Sequence, residues 1–467
     1  MVDVSREEIT DGSLIRSLLI LAAPLVMQNF VQVAQQVVDT FWVGRLGEDA
    51  VAAVGLSFPL TALLFAVLLM TTVGTQVLVS QRAGAEEDSL ARRAVFHGIT
   101  LAFVLGLALT LLVVIFGGDA ISLFGADPEV ASLTVIYLTT FAFGLPLMGM
   151  GDAIEMGFIG WGDSRAALYI NVTAVAINII LDPILIFGYG IPGFTGFEIA
   201  GAALATALGY GISSLFALGM MLRGRSGLSL TREVMTFEIN DYREIVDIGL
   251  PLCGQRAAGQ SVRLIIVGVV AAAGGSAALA AYTVGARIAS VAFIPASGLA
   301  QAAQSVIGQN LGAKKPARAR RTTWMGAAIA AAGLTLIGVF QWVAPELLVR
   351  TFVPDMTSQG FARTVEYLRI LVYGYWGIGA IYLFNAGFNG ARRTKVSLVV
   401  DLVKYWGLRL PIAAIGVMWL DYGVSAVFWA VTISNCVAAV GAGLYYYHTT
   451  HNGMLERAIE VASSPAD

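Results

Sequence analysis

Charged residues are scarce in this sequence. Of its 467 residues, 13% are Asp, Glu, Lys or Arg, whereas 57% are hydrophobic. A soluble chain carries about 25% charged residues, because a surface that faces water has to be polar. The composition therefore argues against a soluble globular protein and indicates a chain whose solvent is the lipid bilayer.

Cysteine, histidine and nucleotide-binding motifs are also scarce. The two cysteines lie in apolar stretches, so they build neither a disulfide framework nor a CxxC metal site. The three histidines form no HExxH pair, and the sequence contains no GxxxxGKS/T loop. These absences argue against a metalloenzyme, a redox protein and an ATP-driven pump. Since no nucleophile and base occur at a recognisable spacing, we expect no enzymatic activity and no cofactor.

Apolar stretches long enough to cross a bilayer recur along the whole chain. A crossing needs about 20 mostly apolar residues, and this criterion predicts twelve transmembrane helices. They run over 14–43, 52–80, 91–116, 130–158, 165–187, 197–222, 242–270, 277–309, 318–343, 365–388, 394–420 and 424–447. The predicted fold class is an all-α integral membrane protein.

Basic residues alternate between the two sides of these helices. With the N-terminus inside, nineteen Arg and Lys residues lie in the tails and loops on that side, against Arg45, Arg350 and Arg363 on the other. Cytoplasmic loops are rich in Lys and Arg. The sequence therefore predicts a multi-pass protein of the cell (plasma) membrane with both termini cytoplasmic.

The two halves of the chain repeat one another. Pro24 aligns with Pro251 at an offset of 227 residues, and residues 91–93 align with 319–321 at 228. Six helices aligned with six in the same orientation predict two lobes related by a pseudo-two-fold axis along the membrane normal, an architecture of alternating-access transporters. The predicted domains are an N-terminal tail (1–13), an N-lobe (14–222), a cytoplasmic linker (223–241), a C-lobe (242–447) and a C-terminal tail (448–467).

Two acidic residues lie deep in the helices of the predicted N-lobe. An ionisable residue there costs several kcal/mol unless it is paired, neutralised or in a wet cavity, so each is a functional candidate. Asp39 follows three glutamines, Gln28, Gln32 and Gln35, at spacings that place all four on one helical face. Such a polar stripe on an apolar helix predicts that this face lines a cavity.

A second polar face occurs on the fifth predicted helix, where Asn171, Asn178 and Asp182 lie at i, i+7 and i+11. The sixth adds Thr206 and Tyr210. Two carboxylates, an amide oxygen and a hydroxyl suit a hard monovalent cation, and they equally suit a protonation site.

Two alternatives stay open for the polar residues of this lobe. Tyr137 either reaches the acidic cluster or serves as an interfacial anchor. Asp39 and Asp182 could also cap or pair within the bundle, but the repeat places Ile266 and Leu410 at their positions, so the fold itself does not require acids there. Asp152 and Glu155 are interpreted as gate or surface partners of Arg165.

The predicted C-lobe carries basic residues instead. Arg256 and Arg263 are seven residues apart on one helical face. One interpretation is pairing within and between helices, such as Asp401 with Lys404 or Glu366 with Arg369. The other places Arg256 or Arg263 in the cavity, where it would meet an anionic group of the substrate.

Several segments resemble the signature of the multidrug and toxic compound extrusion (MATE) family. They are VGRLG at 43–47, GWGDSR at 160–165, NIILDPILIFG at 178–188, PASGLAQ at 295–301 and GQNLGA at 308–313. The resemblance covers nearly the whole chain in order and is most similar to the archaeal and DNA-damage-inducible-F-like branch. It implies an antiporter that exports amphipathic, often cationic compounds.

The resemblance also implies a cation site in the N-lobe. Its residues would be Asp39, Asn178, Asp182 and Thr206, with Na+ or H+ as the coupling ion and Pro24 as the hinge of the first helix. Another branch of the family has acids on the seventh and tenth helices. Here Gly259 and Gln260 occupy the first of these places and no acid lies between residues 369 and 392, which argues against a C-lobe cation site.

Two functions follow from these expectations. The first is cation-coupled antiport by rocker-switch alternating access, in a monomer that binds small-molecule drugs or metabolites, the coupling cation and membrane lipids, but no nucleic acid. Its substrate cavity would include Gln32, Gln35, Tyr137, Tyr210, Arg256 and Arg263. The alternative is a lipid-linked oligosaccharide flippase, which would use Arg256, Arg263 and Arg287 to bind pyrophosphate.

Overall fold

Helices account for all regular structure in the residues that the computed structural model describes, 5–354 and 356–463. The first half of the chain forms α1 (Arg6–Asp11), α2 (Leu14–Gly44), α3 (Glu48–Gly84), α4 (Asp88–Ser122), α5 (Pro128–Ala142), α6 (Leu145–Trp161), α7 (Ser164–Phe187) and α8 (Glu198–Leu222). Two single 3-10 turns, Arg225–Gly227 and Arg232–Val234, follow α8.

The second half is more interrupted. It forms α9 (Ile239–Ala292), α10 (Ile294–Gly312), α11 (Pro316–Val343), α12 (Pro345–Phe352), α13 (Ser358–Val372), α14 (Tyr375–Gly390), α15 (Thr394–Leu402), α16 (Leu410–Met418), α17 (Gly423–His451) and α18 (Met454–Ser463). A π-helical segment, Val403–Arg409, connects α15 to α16.

The helices cover all twelve predicted spans, although not one helix to one span. Eight helices of the described chain are long and apolar enough to cross a membrane, and two bent pairs raise this number to ten. The 54-residue α9 contains the seventh predicted span and the start of the eighth, with a break at Gly275 (φ 63°). The π-helical segment divides the eleventh. The predicted all-α integral membrane fold is confirmed.

Each bent pair breaks at a glycine that packs closely against another helix. The α5–α6 pair bends by 50° and the α13–α14 pair by 53°. A Cβ atom on Gly144 would lie 2.7 Å from the Cβ of Ala207, and one on Gly374 would lie 3.3 Å from the Cα of Thr432. Since the two glycines are 230 residues apart, the repeat places the same bend in both halves.

The chain folds into two compact units. Within the described residues, one unit comprises Ala23–Leu250 together with residues 5–8, and the other comprises Ile9–Ala22 together with residues 251–463. The chain therefore changes units inside α2, beside Pro24, and inside α9, at Pro251. The predicted lobes, 14–222 and 242–447, differ from these units in the first turns of both helices, and the predicted domain boundaries stay a prediction.

An ion-pair cluster fixes the start of α9 within the first unit. Asp241 is 2% exposed and accepts hydrogen bonds from Arg82 Nη2 and Arg93 Nε, each at 2.7 Å. A buried carboxylate is tolerated when it is paired and hydrogen-bonded. The two arginines on α3 and α4 thus hold the first turn of α9.

The loop between α6 and α7 also binds the polar segment that follows α8. Asp163 caps α7 by accepting from the backbone nitrogen of Ala166 at 2.9 Å, and it accepts from Arg225 Nε at 2.8 Å and Ser226 Oγ at 2.6 Å. Burial disfavours its charge, but these hydrogen bonds and the charge of Arg225 outweigh burial and lower the pKa of Asp163.

The second unit holds the beginning of the chain in a comparable way. Arg318 Nη2 donates to the backbone oxygens of Ile9 at 3.2 Å and Gly12 at 2.9 Å, and Asn310 Nδ2 donates to the Ile9 oxygen at 3.4 Å. Asn310 aligns with Arg82 in the repeat. The same position of the repeat, Arg82 in one unit and Asn310 in the other, therefore holds the end of a helix in each unit.

We expect Gly249→Ala to destabilise the first unit. A Cβ atom at this position of α9 would lie 1.9 Å from the backbone oxygen of Met70 on α3. Overpacking of this kind costs about 1–3 kcal/mol, so the midpoint of thermal unfolding in detergent should fall. Gly268→Ala is the control, because a Cβ atom there has no neighbour within 4 Å. Equal midpoints for the two variants would contradict this packing.

Candidate functional site

Three helices of the first unit, α2, α7 and α8, carry the predicted cation site. The helices α7 and α8 pack closely because glycines on α8 face α7. A Cβ atom on Gly201 would lie 2.2 Å from the Leu185 backbone oxygen, and one on Gly209 would lie 2.8 Å from that of Ala174. This contact brings Thr206 of α8 beside the polar face of α7.

Asn178 lies at the centre of the cluster and is 0% exposed. Its Oδ1 accepts a hydrogen bond from Gln35 Nε2 at 2.9 Å, which connects α7 to α2. Its Nδ2 donates to Asp182 Oδ1 at 3.3 Å and to Thr206 Oγ1 at 3.4 Å. One amide thus joins all three helices.

The opposite orientation of the Asn178 amide forms a different set of hydrogen bonds. With oxygen and nitrogen exchanged, the nitrogen donates to Asp39 Oδ1 at 2.9 Å and the oxygen accepts from the Thr206 backbone nitrogen at 3.3 Å. An ionised Asp39 only accepts hydrogen bonds, whereas a protonated Asp39 also donates. The first orientation therefore suits a protonated Asp39, and the exchanged one suits an ionised Asp39.

The carboxyl groups of Asp39 and Asp182 are themselves in hydrogen-bonding contact. Two carboxylates at such a distance repel one another, so a proton has to be shared or a cation has to bind. Neither acid forms an ion pair with Lys, Arg or His within residues 5–354 and 356–463. Asp182 Oδ2 is buried and has no hydrogen-bond partner, which leaves an oxygen for a bound proton or cation.

The donor set fits a hard monovalent cation. Asp39 and Asp182 supply carboxylate oxygens, Asn178 an amide oxygen and Thr206 a hydroxyl, and Na+ prefers such oxygen ligands. The same residues hold a proton equally well. The structure thus brings together the four residues that the sequence predicts for this site.

The predicted cavity residues of the N-lobe lie at different distances from this centre. Tyr210 donates its hydroxyl hydrogen to Gln35 Oε1 at 3.2 Å, which extends the network by one residue. Tyr137 stacks on Phe141, with 6.4 Å between ring centroids, and lies within electrostatic range of both Asp39 and Asp182. Gln32 forms no hydrogen bond within the described chain.

The sequence-based interpretation of Glu155 was wrong. Glu155 is 6% exposed, and it accepts a hydrogen bond from Gln28 Nε2 at 2.6 Å instead of pairing with Arg165 at a surface. Asp152 lies within electrostatic range of it. The sequence signal for this contact was the polar stripe of α2, on which Gln28 lies two helical turns before Gln35. A polar side chain on that face needs a polar partner, and Glu155 is the partner of Gln28.

The structure places Arg256 and Arg263 in the second unit, whereas the acidic cluster belongs to the first. Both arginines are exposed. The predicted pair of Asp401 with Lys404 is present. The predicted pair of Glu366 with Arg369 is wrong, because Glu366 contacts Arg363 at 2.9 Å and Arg369 contacts Glu346 at 2.9 Å. Spacing along a helix permits several partners, and the ends of neighbouring helices decide among them.

Membrane-length helices that carry two contacting acids among neutral polar side chains are typical of helical membrane transporters. A family model described as MatE matches residues 24–184 and 251–415, well over half of the chain. The chain belongs to this family, the MATE multidrug efflux transporters. The two matched segments begin at Pro24 and Pro251, the aligned prolines of the repeat.

Curated relatives match the chain over nearly its whole length. The FAD transporter of Shewanella oneidensis is 28% identical over 92% of this chain and 93% of its own. The probable multidrug resistance protein YoeA of Bacillus subtilis is 28% identical over 85% of this chain and 86% of its own. The probable multidrug resistance protein NorM of Mesorhizobium japonicum is 28% identical over 92% of each.

Solved structures share the fold. A MOP superfamily transporter from Pyrococcus furiosus has a TM-score of 0.89, with 23% identity over 97% of this chain and 99% of its own. An outward-facing MATE family transporter has a TM-score of 0.89 and 23% identity, and it covers 100% of both chains. These similarities support the twelve-helix fold.

We expect Asn178→Leu to destabilise the first unit strongly. The leucine fills a similar volume, but it leaves the side chains of Gln35 and Asp182 without their shared partner. A buried polar group without a partner costs about 1–3 kcal/mol. Thermal unfolding in detergent measures the loss, and Gln32→Leu is the control because Gln32 forms no such bond. Equal midpoints for both variants would show that Asn178 does not join the helices.

Proposed function

We propose that the protein is a secondary active multidrug efflux transporter. It exchanges a cation, H+ or Na+, for amphipathic and often cationic organic compounds by rocker-switch alternating access. The observation that carries this proposal is the contact between the Asp39 and Asp182 carboxyl groups, which have no basic partner in the described chain. Two contacting carboxyl groups within membrane helices are stable only with a proton or a cation bound.

The geometry supports a coupling mechanism. Asp39 lies on α2 and Asp182 on α7, so loading and emptying the site changes the force between these helices. Without a proton or cation, the two carboxylates repel and α2 is driven from α7. With one bound, Gln35 and Asn178 keep the helices together. The site is therefore a two-state contact that the coupling ion biases.

Helix α2 has a position at which such a force can act. Pro24 lies inside the helix and lacks the amide hydrogen that would bond one turn back. The residues of α2 before Ala23 belong to the second compact unit, and those from Ala23 onward belong to the first. Movement of α2 about Pro24 would thus change the packing of α2 within the first unit.

The membrane potential supplies enough energy for this exchange. One charge that crosses 100 mV releases about 2.3 kcal/mol, which corresponds to a roughly fifty-fold gradient of a neutral drug at 25 °C. The relatives named as multidrug resistance proteins support organic drugs as substrates. The relative named as an FAD transporter supports phosphate-bearing aromatic compounds as well.

The proposed setting follows from the loop charges. We place the protein as a monomer in the cell membrane with both termini in the cytoplasm, because the side that holds nineteen basic residues should be cytoplasmic.

We expect Asp39→Asn to abolish gradient-driven efflux. The amide cannot take up a proton and carries no charge to attract Na+, so loading of the site no longer depends on the gradient. The measurement is efflux of a fluorescent cationic dye from proteoliposomes under an imposed H+ gradient, and then under a Na+ gradient. The gradient that drives the wild type identifies the coupling ion.

A matched control is Asp127→Asn, which neutralises an exposed acid of the same unit that forms no capping hydrogen bond. This variant should export the dye like the wild type. Wild-type efflux by the Asp39→Asn variant would contradict the assignment. No efflux by the wild type under either gradient would contradict antiport and favour the flippase alternative.

A further inference from the structure

Basic residues lie near the middle of two membrane helices of the second unit. Arg256 lies at the midpoint of the predicted span 242–270, and Lys404 and Arg409 lie within three residues of the midpoint of 394–420. Asp401 is the acid beside them, and it pairs with Lys404 and accepts a hydrogen bond from Gln255. Basic residues thus outnumber acids there, the reverse of the polarity around Asp39.

Three of these positive charges lack an acidic partner. Arg409 donates from Nε to Ser434 Oγ at 3.1 Å and from Nη2 to Asn435 Oδ1 at 3.0 Å, and both acceptors are neutral. Arg256 and Arg263 are exposed and form neither a hydrogen bond nor an ion pair with any described residue. Unpaired charges at membrane depth cost several kcal/mol, so they mark a wet or ligand-binding surface.

Two of the cations lie against one aromatic ring of the π-helical segment. Lys404 Nζ lies 4.2 Å from the centroid of the Tyr405 ring, and Arg409 Cζ lies 4.8 Å from it. Pro411 follows at the start of α16 and cannot donate to Gly407, which explains the irregular turn.

Helix α9 packs against the π-helical segment and α15 near this pair. Gln255 donates to Asp401, and a Cβ atom on Gly259 would lie 3.3 Å from Tyr405 Cε2. Arg256 and Arg263 lie three residues before and four residues after Gly259, on its face of the helix. Tyr282 and Tyr382 lie within electrostatic range of these cations. We name this part of the second unit the Tyr405 cluster (Arg256, Arg263, Tyr282, Tyr382, Lys404, Tyr405 and Arg409).

We propose that the Tyr405 cluster binds the phosphate group of an aromatic amphipathic ligand. Guanidinium groups bind phosphate oxygens through paired donors, and tyrosine rings stack on an aromatic body. A single carboxylate would neutralise one of the charges that lack a partner, whereas a phosphate neutralises up to two. This inference rests on the proposed efflux function and adds a second substrate class to it.

A phosphate can belong to a soluble compound or to a lipid headgroup. The test therefore uses purified protein in nanodiscs of neutral phosphatidylcholine, and then in nanodiscs that contain anionic phosphatidylglycerol. The probes are flavin mononucleotide, which carries a phosphate, and riboflavin, which has the same ring without it. Binding is measured by the change in flavin fluorescence.

We expect flavin mononucleotide to bind the wild type about tenfold more tightly than riboflavin in the neutral nanodiscs. The double variant Arg256→Gln/Arg263→Gln should lose this preference, since neither side chain bonds within the fold and the variant should stay folded. Arg409→Gln should lose it as well, and its thermal unfolding midpoint reports whether the loss of the Ser434 and Asn435 contacts disturbs the fold.

Arg287→Gln is the matched control, because Arg287 is an exposed arginine of α9 that no interaction connects to the Tyr405 cluster. It should keep the full preference. An equal loss of the preference in this variant would overturn the proposal, because it would show that a diffuse positive field attracts the phosphate. Equal binding of both flavins by the wild type would also overturn it. Displacement of flavin mononucleotide by phosphatidylglycerol would support the site and assign it to lipid headgroups.

The readout of this test is a ratio of two affinities. Asp39→Asn should keep the preference for flavin mononucleotide over riboflavin, because the preference comes from contacts with the phosphate in the second unit. Failure of coupled efflux and failure of phosphate binding are therefore separate results.

Discussion

Two carboxyl groups in contact within membrane helices are the constraint on which the first unit depends. In lipid, Asp39 and Asp182 cannot both be ionised without a compensating charge. The groups around them, Gln35, Asn178 and Thr206, are neutral hydrogen-bonding side chains that orient the acids without neutralising them. Glycines on α8 allow the close approach that this network needs. In the proposed mechanism a proton or a cation occupies this site, and the helices respond to its occupancy.

The internal repeat shows how one scaffold came to carry two kinds of chemistry. Pro183 of α7 and Pro411 of α16 occupy the same position of the repeat, 228 residues apart. In the first unit Asp182 precedes the proline, and in the second unit Arg409 lies two residues before it. The helix of the first unit stays α-helical through its proline, whereas the second forms a π-helical segment. The shared fold thus fixes where polar groups can lie. The first half has a negative charge near this position and the second half has a positive one.

Much of the architecture follows from local sequence. Apolar runs of membrane length, the distribution of arginine and the aligned prolines predict a twelve-helix membrane fold with two halves, because hydrophobicity and charge act on each segment separately. The candidate cation site is also visible, since charged residues in apolar helices stand out and Asn178 and Asp182 share one face at a spacing of four. Local sequence does not predict that α9 continues from the seventh span into the eighth or that the eleventh span contains a π turn, because both depend on the backbone conformation at Gly275 and before Pro411.

The sequence by itself determined the membrane setting, the repeat and the identity of the buried acids, since each is a property of composition or of periodicity along one helix. Only the tertiary structure decided which side chains meet. It selected Asn178 as the residue that joins α2, α7 and α8, and it paired Glu155 with Gln28 instead of Arg165. These contacts depend on the rotation of neighbouring helices and on the distance between them. Close glycine contacts and irregular turns fix both quantities, and residue spacing along a single helix does not reveal them.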